Sequence, residues 1–252
     1  TSLKNQTYKN FEVVVVEDGS NKEIKEFLRS IDDLDIKHTA QEDLGVRKAR
    51  SQNNGVISSS GEYLIFIDGD CILYTTFIEG HVELAESGYV LSGRRLNLNQ
   101  ALTQKLRNRD ITALDIQKNL FFKYISLAFD KTTRFEQGIA IDPKGFLYNH
   151  FIKNAERNTS ILGCNFSCFK DDMLAINGFD ESYAESAVSD DMDLDWRFRA
   201  YGLRLKSCKN VANMFHLYHQ AHDRGDASAQ VALMKERELK GLYLCDKGIN
   251  TH

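Results

Sequence analysis

The chain has 252 residues, 42% of them apolar and 27% charged, with a net charge of −4; it reads as globular, and its charge carries no nucleic-acid signature. No apolar run approaches the roughly 20 residues that a bilayer-spanning helix needs, and the opening residues show no signal-peptide pattern. The five cysteines, at 71, 164, 168, 208 and 245, lack paired CxxC spacing, so reduced thiols of a cytosolic protein are the simplest reading and a zinc site is disfavoured.

Residues 1–10 read as the end of a helix running into a strand, and further residues upstream are expected. Phe11 to Val16 is a β-branched run stopped by Glu17-Asp18-Gly19-Ser20, a strand ending in a turn. Asn21 to Ser30 suits a helix, Ile36 to Thr39 a short strand, and Leu44 to Ser58 a second helix. Tyr63 to Ile67 is the next buried strand, ending in Asp68-Gly69-Asp70. Strand, helix, strand, helix, strand predicts a parallel sheet with helices on both faces. In such sheets ligands sit beyond the carboxyl ends of the strands, which is where both acidic turns fall.

Thr75 to Glu86 reads as a helix and Tyr89 to Ser92 as a strand. The character then changes: residues 94–157 hold twelve Lys/Arg against six Asp/Glu, interleaved with aromatics. This is read as a helical and loop insertion. It is either a cap with a solvated basic face or an acceptor or membrane-surface site. Ile161 to Phe169 returns to a strand, residues 177–202 are a loop feeding a helix, Val211 to Tyr218 is a late strand, and Ala227 to Tyr243 an amphipathic helix.

Two carboxylates around Gly69 suit a hard cation, Mg²⁺ or Mn²⁺, although Asp-Gly-Asp also makes ordinary turns. His216-x-x-His219, with His222 beyond, offers imidazole ligands that would favour Mn²⁺; hydrogen-bonded surface histidines are the alternative. Asp190, Asp191, Asp193 and Asp195 form the densest acidic cluster. On a helix 191 and 195 share a face and 193 points elsewhere. Such a cluster can raise a carboxyl pKa toward general-base duty, or simply suit a helix N-terminus. Arg47, Lys48 and Arg50 could neutralise a pyrophosphate or form a solvated helix face.

Six segments in order, NQTYKNFEVVVVEDGS, QEDLGVRKARSQNNG, GEYLIFIDGDC, GCNFSCFKDDMLAINGFDESY, SDDMDLDWRFRAYG and FHLYH, resemble family-2 glycosyltransferases of the GT-A fold. The similarity covers about 1–93 and 160–222. It is strongest to the bacterial branch related to galactosyl- and N-acetylgalactosaminyl-transferring polysaccharide synthases. The resemblance implies an α/β GT-A fold: a Rossmann-like, mostly parallel central sheet flanked by helices. Residues 1–222 would form the GT-A domain, with a helical insertion at about 94–157 and a C-terminal helical extension at 223–252. It implies an inverting, metal-dependent transfer from a nucleotide sugar, UDP-linked, to a carbohydrate or lipid-linked acceptor. The setting would be cytoplasmic, with peripheral contact at the inner membrane, in bacterial polysaccharide or lipopolysaccharide synthesis.

By position in the motifs, Asp18 resembles the residue contacting the base and Arg47 one near the nucleotide phosphates. Asp68 resembles the ribose-side or metal-side carboxylate of the DxD and Asp70 its metal ligand, with His219 completing the metal or diphosphate site and His216 the less favoured choice. Asp191, with Asp190, resembles the catalytic acidic pair. Three departures stand out. The family's first strand is absent, Asp190 stands where Glu is usual, and 184–189 lacks the aromatic and glycine residues common near the donor sugar. Rival readings are a nucleotidyltransferase and a catalytically silent sugar-binding module.

Overall fold

The computed structural model describes residues 2–130, 133–183, 188, 191–220 and 226–252. Asp190, His222 and most of 184–189 lie outside the described residues. The first half alternates as expected: β1 (Val13–Glu17), α1 (Lys22–Arg29), β2 (Ile36–Ala40), α2 (Lys48–Ser58) and β3 (Tyr63–Ile67). Helix α2 starts at Lys48 rather than Leu44, because Gly45 takes a left-handed φ of 74° that a helix cannot include. β4 (Cys71–Leu73), α3 (Phe77–Leu84), β5 (Tyr89–Ser92) and β6 (Leu96–Asn97) follow.

The predicted insertion contributes α4 (Gln100–Arg107) and α5 (Ala113–Asn119), then short helical turns. Leu102, Ile116 and Leu120 pack with Tyr74, Leu96 and Phe215. The segment is therefore a cap over the small sheet formed by β4, β6 and the late strand β9 (Met214–His216). Its aromatics divide in two: Tyr124 and Tyr148 are buried, whereas Phe122 and Phe129 are 90% and 86% exposed.

β7 (Asn165–Phe169), α6 (Lys170–Ala175), α7 (Met192–Tyr201), β8 (Arg204–Ser207), β9 (Met214–His216) and α8 (Ser228–Leu239) complete the chain. Two strands are shorter than their apolar runs. A turn closed by the Asn165 amide on the Leu162 carbonyl (2.7 Å) delays β7, and amides of Val211 and Ala212 on the Cys208 carbonyl (3.0 and 3.1 Å) delay β9.

The sheets are mixed. The expected parallel pairing holds for β1–β2, β5–β8 and β6–β9, but β7 runs antiparallel to both β3 and β5, and β9 antiparallel to β4. The reason is connectivity: β7 enters its sheet after the long insertion, so no tight right-handed crossover fixes its direction. Phe66 on β3 and its register partner Phe166 on β7 stack at 4.5 Å between centroids, at the centre of the larger core.

His81 of α3 is fully buried between the Ser167 hydroxyl (Nδ1, 2.7 Å) and Asn165 Oδ1 (Nε2, 3.0 Å). The Asn165 amide nitrogen is used on the carbonyls of Arg94 and Ala212 (2.8 and 3.1 Å), so its oxygen accepts and Nε2 of His81 carries the proton. Gly93 leaves room for this arrangement, since a Cβ there would lie 2.2 Å from Asn165 Oδ1. Burial drives the His81 pKa down from 6.5 to about 4, against the smaller opposing effect of the Asn165 bond. Between these values the unfolded chain binds a proton that the folded chain does not, so stability must fall as pH drops through that window. The full effect is about 3 kcal/mol. Urea midpoints at pH 7.5 and 4.5 should therefore differ by more in the wild type than in His81→Gln; equal differences would refute the assignment.

Candidate active site

The site is assembled where β3 and β9 end and β4 begins. After β3, Asp68, Gly69 and Asp70 form a turn closed by the Cys71 amide on the Asp68 carbonyl (3.2 Å). β4 then pairs antiparallel with β9, register Cys71 to His216, and the Leu217 amide bonds the Asp70 carbonyl (3.0 Å). This pairing carries the late histidines to the acidic turn. Nε2 of His216 stands 3.1 Å and Nε2 of His219 3.2 Å from the same oxygen, Asp70 Oδ2. Burial raises the Asp70 pKa, but the His216 hydrogen bond and the charges of both imidazoles outweigh it and hold the carboxyl below its ordinary value.

These three side chains offer one carboxylate oxygen and two imidazole nitrogens within 4.8 Å of one another. Donors at about 2.1 Å from one cation and at right angles to each other stand about 3.0 Å apart. The proton positions add a test of fit. Nδ1 of His219 faces the Gln220 carbonyl at 2.9 Å; a carbonyl only accepts, so Nδ1 carries the proton. In the neutral ring Nε2 then aims a lone pair at the carboxylate, an arrangement that requires a proton or a cation between them. A ring nitrogen donating to a backbone carbonyl is also the usual orientation of a metal-ligating histidine. The residues fit a divalent cation.

Asp68 accepts from Lys48 Nζ at 2.9 Å. Arg47, in contrast, turns its guanidinium back onto the Glu42 carbonyl, while its amide bonds Asp18 Oδ2. Asp18 also accepts from Gln41 (2.6 Å). Asp18 and Arg47 thus form one hydrogen-bonded unit at the end of β1, and Lys48 is the basic side chain that reaches the acidic turn.

Helix α7 divides its acids as the helical period predicts. Asp193 is fully buried, bonded to Tyr183 (2.8 Å), Trp196 (3.0 Å) and Arg197 (3.0 Å). Burial above all raises its pKa, with a smaller contribution from the Asp180 charge and with Arg197 and Tyr183 opposing. Arg197 also donates to the carbonyls of Gly178 (2.9 Å), Tyr243 (2.8 Å) and Ile176. Removing one member of such a pair strands a buried charge at about 3–5 kcal/mol. Asp193→Ala should therefore lower Tm by roughly 10 °C, measurable by calorimetry, whereas Glu236→Ala at the exposed pair with Lys240 should leave it unchanged.

Asp191 and Asp195 face the opposite way. Each receives a backbone N–H from one loop, Gly163 to Asp191 Oδ1 and Ile161 to Asp195 Oδ2 (3.0 Å). Both line a cleft of about 740 Å³ with Asn158, Ser160, Ile161 and Trp196. The loop also ties the cleft to the acidic turn. Cys164 follows Gly163, Cys71 follows Asp70, and the two thiols are near enough to perturb each other. Arg95 completes the link, NH1 lying 3.2 Å from Cys164 Sγ. The Arg94-Arg95 pair was readable only as part of a basic segment. Its placement here depends on the distant loop 158–164, which no local spacing reveals.

Comparisons with known proteins agree with this architecture. Residues 1–146 match the family described as Glycosyl transferase family 2, and residues 149–220 match the N-terminal domain of galactosyltransferase. Glycosyltransferase GlyA of Streptococcus pneumoniae is 35% identical over 98 residues, 35% of this chain and 14% of that protein. The GalNAc(5)-diNAcBac-PP-undecaprenol beta-1,3-glucosyltransferase of Campylobacter jejuni is 29% identical over 90 residues, 35% of this chain and 29% of that protein. The chain thus spans less than a third of the length of these curated relatives. The solved structure of S. aureus TarS 1–349 in complex with UDP has the same fold, at TM-score 0.58 and 15% identity, covering 99% of this chain and 62% of that one.

Proposed function

The chain belongs to glycosyl transferase family 2, and from that premise we propose that it moves a sugar from a nucleotide sugar, UDP-linked, to an acceptor hydroxyl with inversion, using a divalent metal, in bacterial polysaccharide or lipopolysaccharide synthesis. The observation that carries this reading is the short path from the Asp70–His216–His219 cluster through Cys71 and Cys164 to the loop held by Asp191. Leaving-group chemistry and proton transfer thereby share one site. The UDP bound in the solved neighbour supports UDP as the carrier, and GT-A is the fold the two have in common.

In this proposal Asp70, His216 and His219 hold Mn²⁺ or Mg²⁺, with Asp68 beside them. When bound, the cation supplies charge stabilisation for the departing nucleoside diphosphate. Lys48 on Asp68 adds positive charge at the same end of the site. Asp18, steadied by Gln41 and the Arg47 amide, recognises the base. Asp191, its orientation fixed by the Gly163 N–H, accepts the acceptor's hydroxyl proton. The acceptor oxygen attacks the anomeric carbon as the glycosyl–phosphate bond breaks, with the diphosphate leaving on the opposite face. The new glycosidic bond therefore has inverted configuration, and no covalent enzyme intermediate is formed. Gly69 leaves the approach open, since a Cβ there would meet nothing within 4 Å.

The test is a panel of nucleotide sugars with Mn²⁺, scored by thermal shift and by product. Stabilisation by a UDP-sugar and release of UDP support the reading. Release of pyrophosphate would indicate a nucleotidyltransferase, and stabilisation without any turnover a silent module.

A further inference from the structure

A second cavity adjoins the cleft that Asp191 lines. It measures about 290 Å³ and is lined by Arg94, Arg95 and Arg134, with Asn158, Ser160 and Ile161 forming a rim common to both spaces. We propose that this cavity binds an anionic group, a carboxylate or phosphate, carried by the acceptor saccharide. The proposal rests on the transferase reading above, and it deepens that reading by giving the acceptor a charge.

The arginines are gathered without the counter-ions that would explain them. Among the described residues none of Arg94, Arg95, Arg134 or Arg157 forms an ion pair with a carboxylate. Arg94 spends its donors on neutral oxygens, including the carbonyls of Ser160 (3.1 Å) and Asn158 (3.1 Å). Arg157, behind it, bonds the Lys209 carbonyl (2.7 Å) and Asn210 Oδ1 (2.6 Å). The Arg134 carbonyl accepts the Gln137 amide (2.9 Å), but its guanidinium makes no hydrogen bond or ion pair with the described residues, and its backbone sits in the left-handed region, φ 51°. Burial above all, with smaller contributions from the charges of Arg134 and Arg157, depresses the Arg94 pKa, whereas for Arg95 burial is outweighed by Cys164 and Asp68 and the pKa rises, so the uncompensated charge of the cavity is at Arg94 and Arg134. Partly buried positive charge of this kind is costly unless an anion completes it, and guanidinium groups match carboxylate and phosphate oxygens two at a time.

The cavity is rigid on the side that matters. The Arg94 carbonyl is held by Asn165, the same side chain that packs on buried His81. It is also small. About 290 Å³ suits one charged sugar residue or phosphate group and is too small for a nucleotide sugar, while the adjoining cleft has more than twice that space. The cavity's rim, Asn158, Ser160 and Ile161, belongs to the loop that Asp191 and Asp195 hold, on the acceptor side, while Arg95 reaches toward Cys164 and the acidic turn, so competition with UDP decides which side the cavity serves.

The probes are glucuronate, galactose 6-phosphate and uncharged glucose, each titrated into the full chain by calorimetry with and without UDP and Mn²⁺. The expected result is that one or both anions bind at least tenfold more tightly than glucose, equally well in the presence of UDP. Arg134→Gln, which removes no described contact, should abolish this preference, while UDP–Mn²⁺ binding and Tm stay at wild-type values. Which anion binds tells a uronic acid from a sugar phosphate. Competition between the anion and UDP would assign the cavity to the donor and overturn the proposal. So would an anion effect that survives both Arg134→Gln and Arg94→Gln, or equal affinity for glucose. Failure of UDP to bind at all would strike the transferase reading instead, a separately visible outcome.

Discussion

Replacing Asp191 by Asn should lower turnover about 10²–10⁴-fold, the usual worth of a positioned general base, while leaving UDP-sugar affinity within twofold. The amide keeps the shape of the carboxylate and its Oδ1 still accepts the Gly163 N–H. What it lacks is basicity, so the acceptor hydroxyl keeps its proton in the transition state. A fall in kcat with unchanged donor binding, measured by steady-state UDP release and calorimetry, is the expected signature. Unchanged kcat would leave Asp191 as a structural cap and give the proton transfer to another group. Collapse of donor binding would mean that Asp191 serves the donor side.

Asp70→Ala should do the reverse. It removes the oxygen on which both His216 Nε2 and His219 Nε2 converge. Loss of a residue that only hydrogen-bonds a metal ligand costs about 10–100-fold in metal affinity, so loss of this proposed ligand should cost at least about 100-fold. Mn²⁺ should then no longer raise Tm, and UDP should bind as weakly as it does to wild type treated with chelator. His219→Ala should show the same defect in milder form. In wild type, metal affinity should drop as pH falls, because protons compete with the cation for its ligands. If Asp70→Ala still binds Mn²⁺ and UDP normally, the cluster is only a pair of His–Asp hydrogen bonds.

Much of this architecture is legible from local pattern. The β-branched run before Asp18 and the apolar run before Asp68 announce two strands that end in acids, and the period of α7 separates Asp193 from Asp191 and Asp195. What was hidden is non-local. β4 and β6 have three and two residues, too few to show alternation, yet β4 is the strand that delivers Asp70 to the histidines. β8 is a polar edge strand, bonded on one side only, so its sequence Arg-Leu-Lys-Ser needs no apolar run. The spacing His-x-x-His suggested ligands but not that both rings meet one oxygen, because that follows from β4–β9 pairing. Arg47 and Lys48 are adjacent, and only the turn at Gly45 decides that Lys48 points to Asp68. Asp193 could be assigned to a different face from Asp191, but that its face is the buried one depends on Tyr183 and Arg197.

The three-residue register between β4 and β9 also sets where this sequence can tolerate a change of length. Side chains alternate along a strand, so a shift of one position exchanges the two faces. One residue inserted between Ala212 and Met214 would bring Phe215, now fully buried, to the position of His216 and drive an imidazole into the apolar core. The same insertion in the exposed loop 108–110, beyond the end of α4, leaves every donor atom where it is. Length variation among homologous chains should therefore be absent from the few residues before His216 and concentrated in the cap.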